Sequence, residues 1–208
     1  VIEKIPLATT KDIRSGEIVW NGLGIINPFN EDGELVDLAN YPLLQSYFVK
    51  HEDVLRKRHV ANKNPHNWYR TIDKINISLL SQPKLLIPDI KGDAHIVYDK
   101  GGFYPHHNLY YVTAELWDLS VLRAVLSSGI ARLFIRTYST RMHGDCLRFQ
   151  AQYLRRIRLP AWDLVSTSMR DRMVQLSESG DISSLNSIVY DLYGLSVSER
   201  DIIEKYGN

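Results

Sequence analysis

The sequence predicts an α+β fold: a mixed or antiparallel sheet region with packed helices, followed by a C-terminal helical segment. Two observations carry this. Three short strand-like runs between residues 84 and 113 are separated by glycine-bearing turns, not by the long helical crossovers of a parallel sheet. Beyond residue 160 the apolar residues recur at helical spacing instead. The composition allows a packed core, since 44% of the 208 residues are hydrophobic and 24% are charged. That excludes a disordered chain, and the single Cys146 excludes a disulfide scaffold. No apolar run approaches the ~18 residues of a membrane span. No signal peptide opens the chain, so a reducing, cytoplasmic setting is expected. The chain opens on Val1 and its methionines are Met142, Met169 and Met173, which suggests a piece of a longer polypeptide.

Glu17–Ile26 is apolar and glycine-punctuated, and reads as a strand with an irregular end. Asn27-Pro28-Phe29 and Asn30-Glu31-Asp32-Gly33 then mark a turn. From Tyr41 the apolar positions Leu43, Leu44, Tyr47, Phe48, Val54 and Leu55 predict a helix running to about Arg58, with Pro42 in its first turn. Asn62–Asn67 is polar and broken by proline, hence a loop into Trp68-Tyr69-Arg70. The strand-like runs are Lys84–Ile90, His95–Tyr98 and Asn108–Thr113, with turns at Lys91-Gly92-Asp93 and Lys100-Gly101-Gly102. Asp118 to Thr137 gives the strongest helical pattern, with Asp118 as N-cap and Gly129 as a possible break. Arg148–Leu159 alternates partly, as an extended segment does, and ends at Pro160. Helices are then expected over roughly Trp162–Leu176, Leu185–Tyr193 and Ser196–Lys205. Gly194 is a stop, and Ser196 with Glu199 forms a capping box.

The net charge of +1 hides an uneven distribution. Residues 1–49 carry three basic side chains against seven acidic ones, and residues 159–208 carry four against eight. The middle, residues 50–158, carries eighteen against nine. Within it, residues 119–158 hold eight arginines and one acid, Asp145. A basic middle between acidic flanks suits a polyanionic partner.

Catalytic signatures are largely missing. Gly22-Leu23-Gly24 lacks the third glycine and following helix of a dinucleotide site. Asn27-Pro28-Phe29 lacks the second proline of the Asn-Pro-Pro-aromatic loop used by amino-methyltransferases. Pro88-Asp89 could open a nuclease motif, but Asp99-Lys100 are adjacent and no acid–x–Lys triplet follows. Cys146 has His143 nearby yet reads as a buried thiol. His106 and His107 would point to opposite faces of a strand, and His51 and His59 lie too far apart to chelate one ion. No metal site is expected.

Recognition chemistry remains. Arg, Asn, Gln and His read base edges, while Lys, Arg, Ser and Thr grip phosphates. The stretch Tyr138–Gln152 offers Arg141, His143, Arg148, Gln150 and Gln152. Asn67–Arg70 adds Trp68, Tyr69 and Arg70, although Trp68 also suits a core position. Tyr104, His106, His107 and Asn108 form a third polar-aromatic loop. The basic end of the first helix, Arg56, Lys57 and Arg58, would grip phosphates.

The ordered blocks then resemble a family. They are Ile26-Asn27-Pro28-Phe29 with Asp32-Gly33, Leu35-Val36-Asp37-Leu38, Tyr41-Pro42-Leu43, Leu55-Arg56-Lys57-Arg58 and Asn67-Trp68-Tyr69-Arg70. Next come Pro83–Ile90, Phe103–Asn108, Leu147-Arg148-Phe149-Gln150 and Leu154–Pro160, closed by Val189–Leu195 and Glu199–Ile203. In this order they look like the C-terminal specificity region of TaqI-like and Eco57I-like adenine-N6 DNA methyltransferases of bacterial and archaeal restriction-modification systems. The resemblance implies a target recognition domain over residues 1–160 and a helical extension over 161–208. It implies duplex DNA as partner, with the adenine flipped toward an upstream methyltransferase domain that holds S-adenosylmethionine. Only the second part of that pattern matches, so DNA recognition carries over and methyl transfer does not, and no cofactor is expected in this chain. Two other readings remain open: a stand-alone nuclease, and a protein-interaction domain whose arginines meet an acidic partner.

Overall fold

The computed structural model describes residues 4–91, 95–138, 147–148 and 151–207, with the backbone alone at 90, 91, 147, 148 and 207. Four short strands come first: β1 (Lys4–Ala8), β2 (Ile13–Arg14), β3 (Glu17–Ile18) and β4 (Gly24–Ile26). Helices α1 (Pro42–Lys50), α2 (Glu52–Arg56), α3 (His59–Lys63) and α4 (Ser78–Ser81) follow. Strands β5 (Lys84–Pro88), β6 (Ile90–Lys91), β7 (Val97–Asp99), β8 (Tyr104–Pro105) and β9 (Leu109–Val112) form the middle. Then come α5 (Leu119–Ser127), α6 (Gly129–Tyr138), β10 (Leu147–Arg148), α7 (Ala151–Leu154), α8 (Thr167–Ser179), α9 (Ile182–Leu192) and α10 (Val197–Gly207). The architecture is α+β, although helices already intervene between β4 and β5.

The central sheet has the order β7-β5-β9, with both pairings antiparallel. Every residue of β5 is buried, so this strand is covered on both faces. Alternation divides its side chains. Leu85 and Ile87 pack with Leu119, Leu122 and Leu126 of α5, while Leu86 packs with Val97, Leu109, Ala8 and Ile13 on the other face. Fully burying each such aliphatic side chain contributes about 1.5–3 kcal/mol. Lys84 starts the strand with its ammonium 2.7 Å from the Asp99 carboxylate, and both side chains are almost wholly buried. Asp99 also accepts the backbone N–H of Gly101 at 3.0 Å and of Phe103 at 3.3 Å. The ion pair thereby fixes the turn that delivers the chain to β8.

The expected strand over Glu17–Ile26 is two strands, β3 and β4, on different partners. Gly22 adopts a left-handed φ of 81° between them, and Asp12 holds Asn21 through the backbone N–H at 2.8 Å and the side-chain amide at 2.7 Å. β4 pairs antiparallel with β1, and β1 pairs parallel with β8 across a long sequence gap.

The helix expected over Tyr41–Arg58 is broken. His51 leaves helical geometry at φ −113°, ψ 12°, and α1 and α2 lie on either side of it. α3 occupies part of the expected loop after Arg58. Arg148–Leu159 is not extended throughout, since α7 coils residues 151–154 and further turns follow at Arg156 and Ile157. Its apparent alternation is that of a short helix between loops.

Asp118 caps α5 as expected, accepting the backbone N–H groups of Ser120 at 2.8 Å and Val121 at 3.1 Å. The helix does stop before Gly129. Gly129 donates its N–H to Asn186 Oδ1 at 2.8 Å, and a Cβ there would lie 2.5 Å from the Tyr190 hydroxyl. Close approach of α9 therefore requires glycine at this point. The C-terminal helices α8 and α9 pack Met173, Leu176, Leu185 and Val189 against Val121, Ala124 and Val125 of α5. The Ser196–Glu199 capping box forms, with the Ser196 N–H and hydroxyl both donating to Glu199 at 2.8 and 2.6 Å.

Candidate nucleic-acid interface

The strongest juxtaposition among the expected recognition segments arises at the end of β5. Leu109 pairs with Pro88, and Asp89 then donates its backbone N–H to the carbonyl of Asn108 at 3.2 Å. One residue later, Ile90 pairs antiparallel with Arg148. The Tyr104–Asn108 and Leu147–Arg148 segments are thus brought to the same strand end. Arg141, His143 and Gln150 lie outside the described residues, as does the side chain of Arg148. Gln152 sits exposed on α7 and takes part in a side-chain or backbone interaction.

Within the first segment, β8 is only two residues long, so His106 and His107 lie in the turn before β9. Their rings do not diverge as strand neighbours would; the centroids are 4.0 Å apart. His106 Nδ1 lies 2.7 Å from Asn108 Oδ1. With that oxygen as acceptor, Nδ1–H is the donor. Asn108 spends one amide proton on Thr10 Oγ1 at 3.3 Å, and the His106 backbone N–H donates to Ala8 at 2.8 Å. The turn is therefore braced against the β1 end, and His107 is the exposed member of the pair. Tyr104 is half-buried, its hydroxyl accepting the Asn76 N–H at 3.4 Å. Among the described residues no group of three or more His, Cys, Asp or Glu could hold a metal ion.

Trp68 and Tyr69 belong to a separate small core with Val36, Leu38, Phe48 and Ala61. Trp68 is 7% exposed and packs there, so its ring serves the core and is not open for stacking on a base. Arg58 donates to the carbonyls of Leu55 at 3.1 Å and Trp68 at 2.8 Å, binding the helix end to the loop. Burial pushes the pKa of its guanidinium below the ordinary arginine range. Tyr69 donates its hydroxyl to the Val36 carbonyl at 2.7 Å. Burial and then the nearby Asp37 charge push that phenol upward. Arg56 is tied to Glu52 at 2.6 Å and to the Pro65 carbonyl at 3.1 Å, with its guanidinium 4.9 Å from the Trp68 ring. Arg70 is half-buried and bonds the Thr71 carbonyl at 3.3 Å. Lys57 is exposed, as is Arg56 despite its partners. Residue type marks these positions as a basic helix end and as aromatics beside a cation, but does not show that Arg56, Arg58, Tyr69 and Arg70 are bound to carbonyls.

The arginine-rich stretch divides similarly. Arg136 reaches the Tyr206 carbonyl at 3.2 Å, and Arg156 lies over the Tyr138 ring at 4.9 Å. Arg155 and Arg158 are exposed. Missed altogether was Asp12, fully buried, which accepts from the Thr9 N–H and hydroxyl, each at 2.7 Å, besides Asn21. Its burial raises the carboxyl's value, but the hydrogen bonds from Thr9 and Asn21 outweigh that and hold it below the usual range. The local signal was a threonine three residues before an aspartate, a common turn pattern.

No helix among the described residues is long and apolar enough to cross a membrane. The model of the TaqI-like C-terminal specificity domain matches residues 9–159. The chain is 56% identical over 200 residues to the Type II methyltransferase M.XhoI of Xanthomonas vasicola, which covers 96% of this chain and 37% of that protein. It is 54% identical to the Type II methyltransferase M.PaeR7I of Pseudomonas aeruginosa, covering 96% of this chain and 35% of that one. For the Type II methyltransferase M.BstVI of Geobacillus stearothermophilus the identity is 48%, covering 96% of this chain and 36% of that one. The chain therefore spans just over a third of the length of the curated relatives it matches. With the specificity-domain model covering most of its length, the chain belongs to the family of TaqI-like C-terminal specificity domains.

Proposed function

We propose that this chain is the target recognition domain of a Type II restriction-modification methyltransferase, reading a short sequence in duplex DNA. The observation that supports it best is the juncture at β5: the His106–Asn108 turn and the Arg148 strand share one support, within a chain matched to a specificity domain. His107 and Arg148 are the proposed base readers, with Arg141, His143, Gln150 and Gln152 in the same neighbourhood of sequence. Lys57, Arg155 and Arg158 are exposed cations suited to phosphates. Residues 1–160 form the recognition unit and 161–208 its helical extension. Methyl transfer to adenine N6, with S-adenosylmethionine as donor, belongs to the remainder of a longer parent protein that works on cytoplasmic DNA.

The test is selection of bound duplexes from a random-sequence pool by the purified chain, followed by a salt titration. One enriched motif is expected. Neutralising about 5 phosphates gives a log–log salt slope near −4 to −5. Absence of an enriched motif, or affinity indifferent to salt, contradicts the reading.

A further inference from the structure

A cavity of about 720 Å³ lies beside β7, an outer strand of the central sheet, and no residue of the β5–β6 juncture lines it. The Ser15–Glu17 turn, α5, the start of α6 and the α8–α9 turn surround it. Its volume falls in the range of small-molecule sites. Arg123 and Arg132 line it, both half-buried. The Nε of Arg123 is buried, and nothing among the described residues accepts from it. That nitrogen is shut off from the cavity as well as from bulk water, so an oxyanion in the cavity would meet the terminal amino groups of the two half-buried arginines. Ile96, Leu126 and Ile182 supply apolar wall, while Glu17 and Glu178, both exposed, stand at the mouth. His95 and Ser127 complete the polar lining.

These parts sort by chemistry. Two guanidinium groups suit one phosphate. Aliphatic walls suit a flat, weakly polar ring. Mouth carboxylates accept from amino or hydroxyl groups and repel a continuous polyanion. We infer that the cavity binds a phosphorylated small molecule of nucleotide size, with its phosphate on Arg123 and Arg132 and its amino or hydroxyl donors toward Glu17 and Glu178. This rests on the cavity alone and not on the DNA reading.

The test uses the 208-residue chain at constant ionic strength, following the Arg123 Nε–H resonance by ¹⁵N-edited NMR. Adenosine monophosphate is expected to move that resonance with a Kd on the order of 0.1–1 mM. Inorganic phosphate should move it about tenfold more weakly, and adenosine without phosphate should leave it in place. Arg132→Gln should weaken the nucleotide about tenfold in a chain whose thermal melting is unchanged, so the result does not depend on Arg123→Gln folding. A resonance unmoved by nucleotide up to about 10 mM overturns the inference. So does a resonance that responds to duplex DNA but not to the mononucleotide, which would make the cavity part of the DNA interface. Loss of DNA binding alone would leave the nucleotide result untouched.

Discussion

The backbone N–H of Asp89 donates to the carbonyl oxygen of Asn108 at 3.2 Å, immediately before Ile90 takes Arg148 as its strand partner. That bond and the β6–β10 pairing together tie two polar segments, distant in sequence, to one end of a strand buried along its whole length. A rigid support of this kind holds side chains in register with a groove more accurately than free loops could.

Lys57 and Arg58 are neighbours with different expected effects. Lys57→Ala should weaken cognate and non-cognate duplexes about equally, and flatten the salt slope by about 1, without changing the melting temperature. Arg58→Ala should destabilise the fold by about 2 kcal/mol, because two carbonyls lose a charged donor. Anisotropy titrations and urea melts of the two variants check this.

The buried Lys84–Asp99 pair should behave asymmetrically. Asp99→Ala leaves an ammonium uncompensated in the core and should cost about 3–5 kcal/mol. The double replacement Lys84→Met with Asp99→Leu should cost less than Asp99→Ala alone in urea unfolding. A larger cost would mean that the bonds of the Lys84 ammonium to the Leu80 and Gln82 carbonyls dominate.

Asp12 confers a pH dependence of definite sign. Its folded value lies below its unfolded one, near 3.9. The stability it contributes is therefore complete above that unfolded value and is lost as pH falls through the folded value. Asp12→Asn should be less stable than the native chain at neutral pH, and the gap should narrow below about pH 4. Acid unfolding followed by circular dichroism measures it.

Gly129→Ala should cost about 1–3 kcal/mol, since the new Cβ meets the Tyr190 hydroxyl and the Ile203 side chain. Gly180→Ala meets no atom within 4 Å but must hold a left-handed φ of 74°, and should cost about 1 kcal/mol. Thermal melts of both variants should preserve that order.

Much of this was legible locally. The Lys100-Gly101-Gly102 turn, the Asp118 cap, the break at Gly129 and the Ser196–Glu199 box are short-range chemistry, and each reads directly from residue type and spacing. What was hidden is long-range. The parallel pairing of β1 with β8 rests on contacts nearly a hundred residues apart, and two-residue strands carry no periodicity. The break at His51 has neither proline nor glycine to announce it. Trp68 and Arg58 looked like groups for DNA because their types suit DNA, whereas a buried small core claims the first and carbonyl acceptors the second. The β5 juncture was only half visible: both segments were singled out as polar loops, but the strand end joining them was not.

The most direct measurement compares Arg148→Ala with the native chain on the selected duplex and on its single-base variants, with melting temperatures recorded alongside. The account predicts a loss of about 1–3 kcal/mol on the selected site, relaxed preference at one base pair, and an unchanged melting temperature. Sequence preference left intact, with a sharply lowered melting temperature, would contradict it and make Arg148 a structural residue.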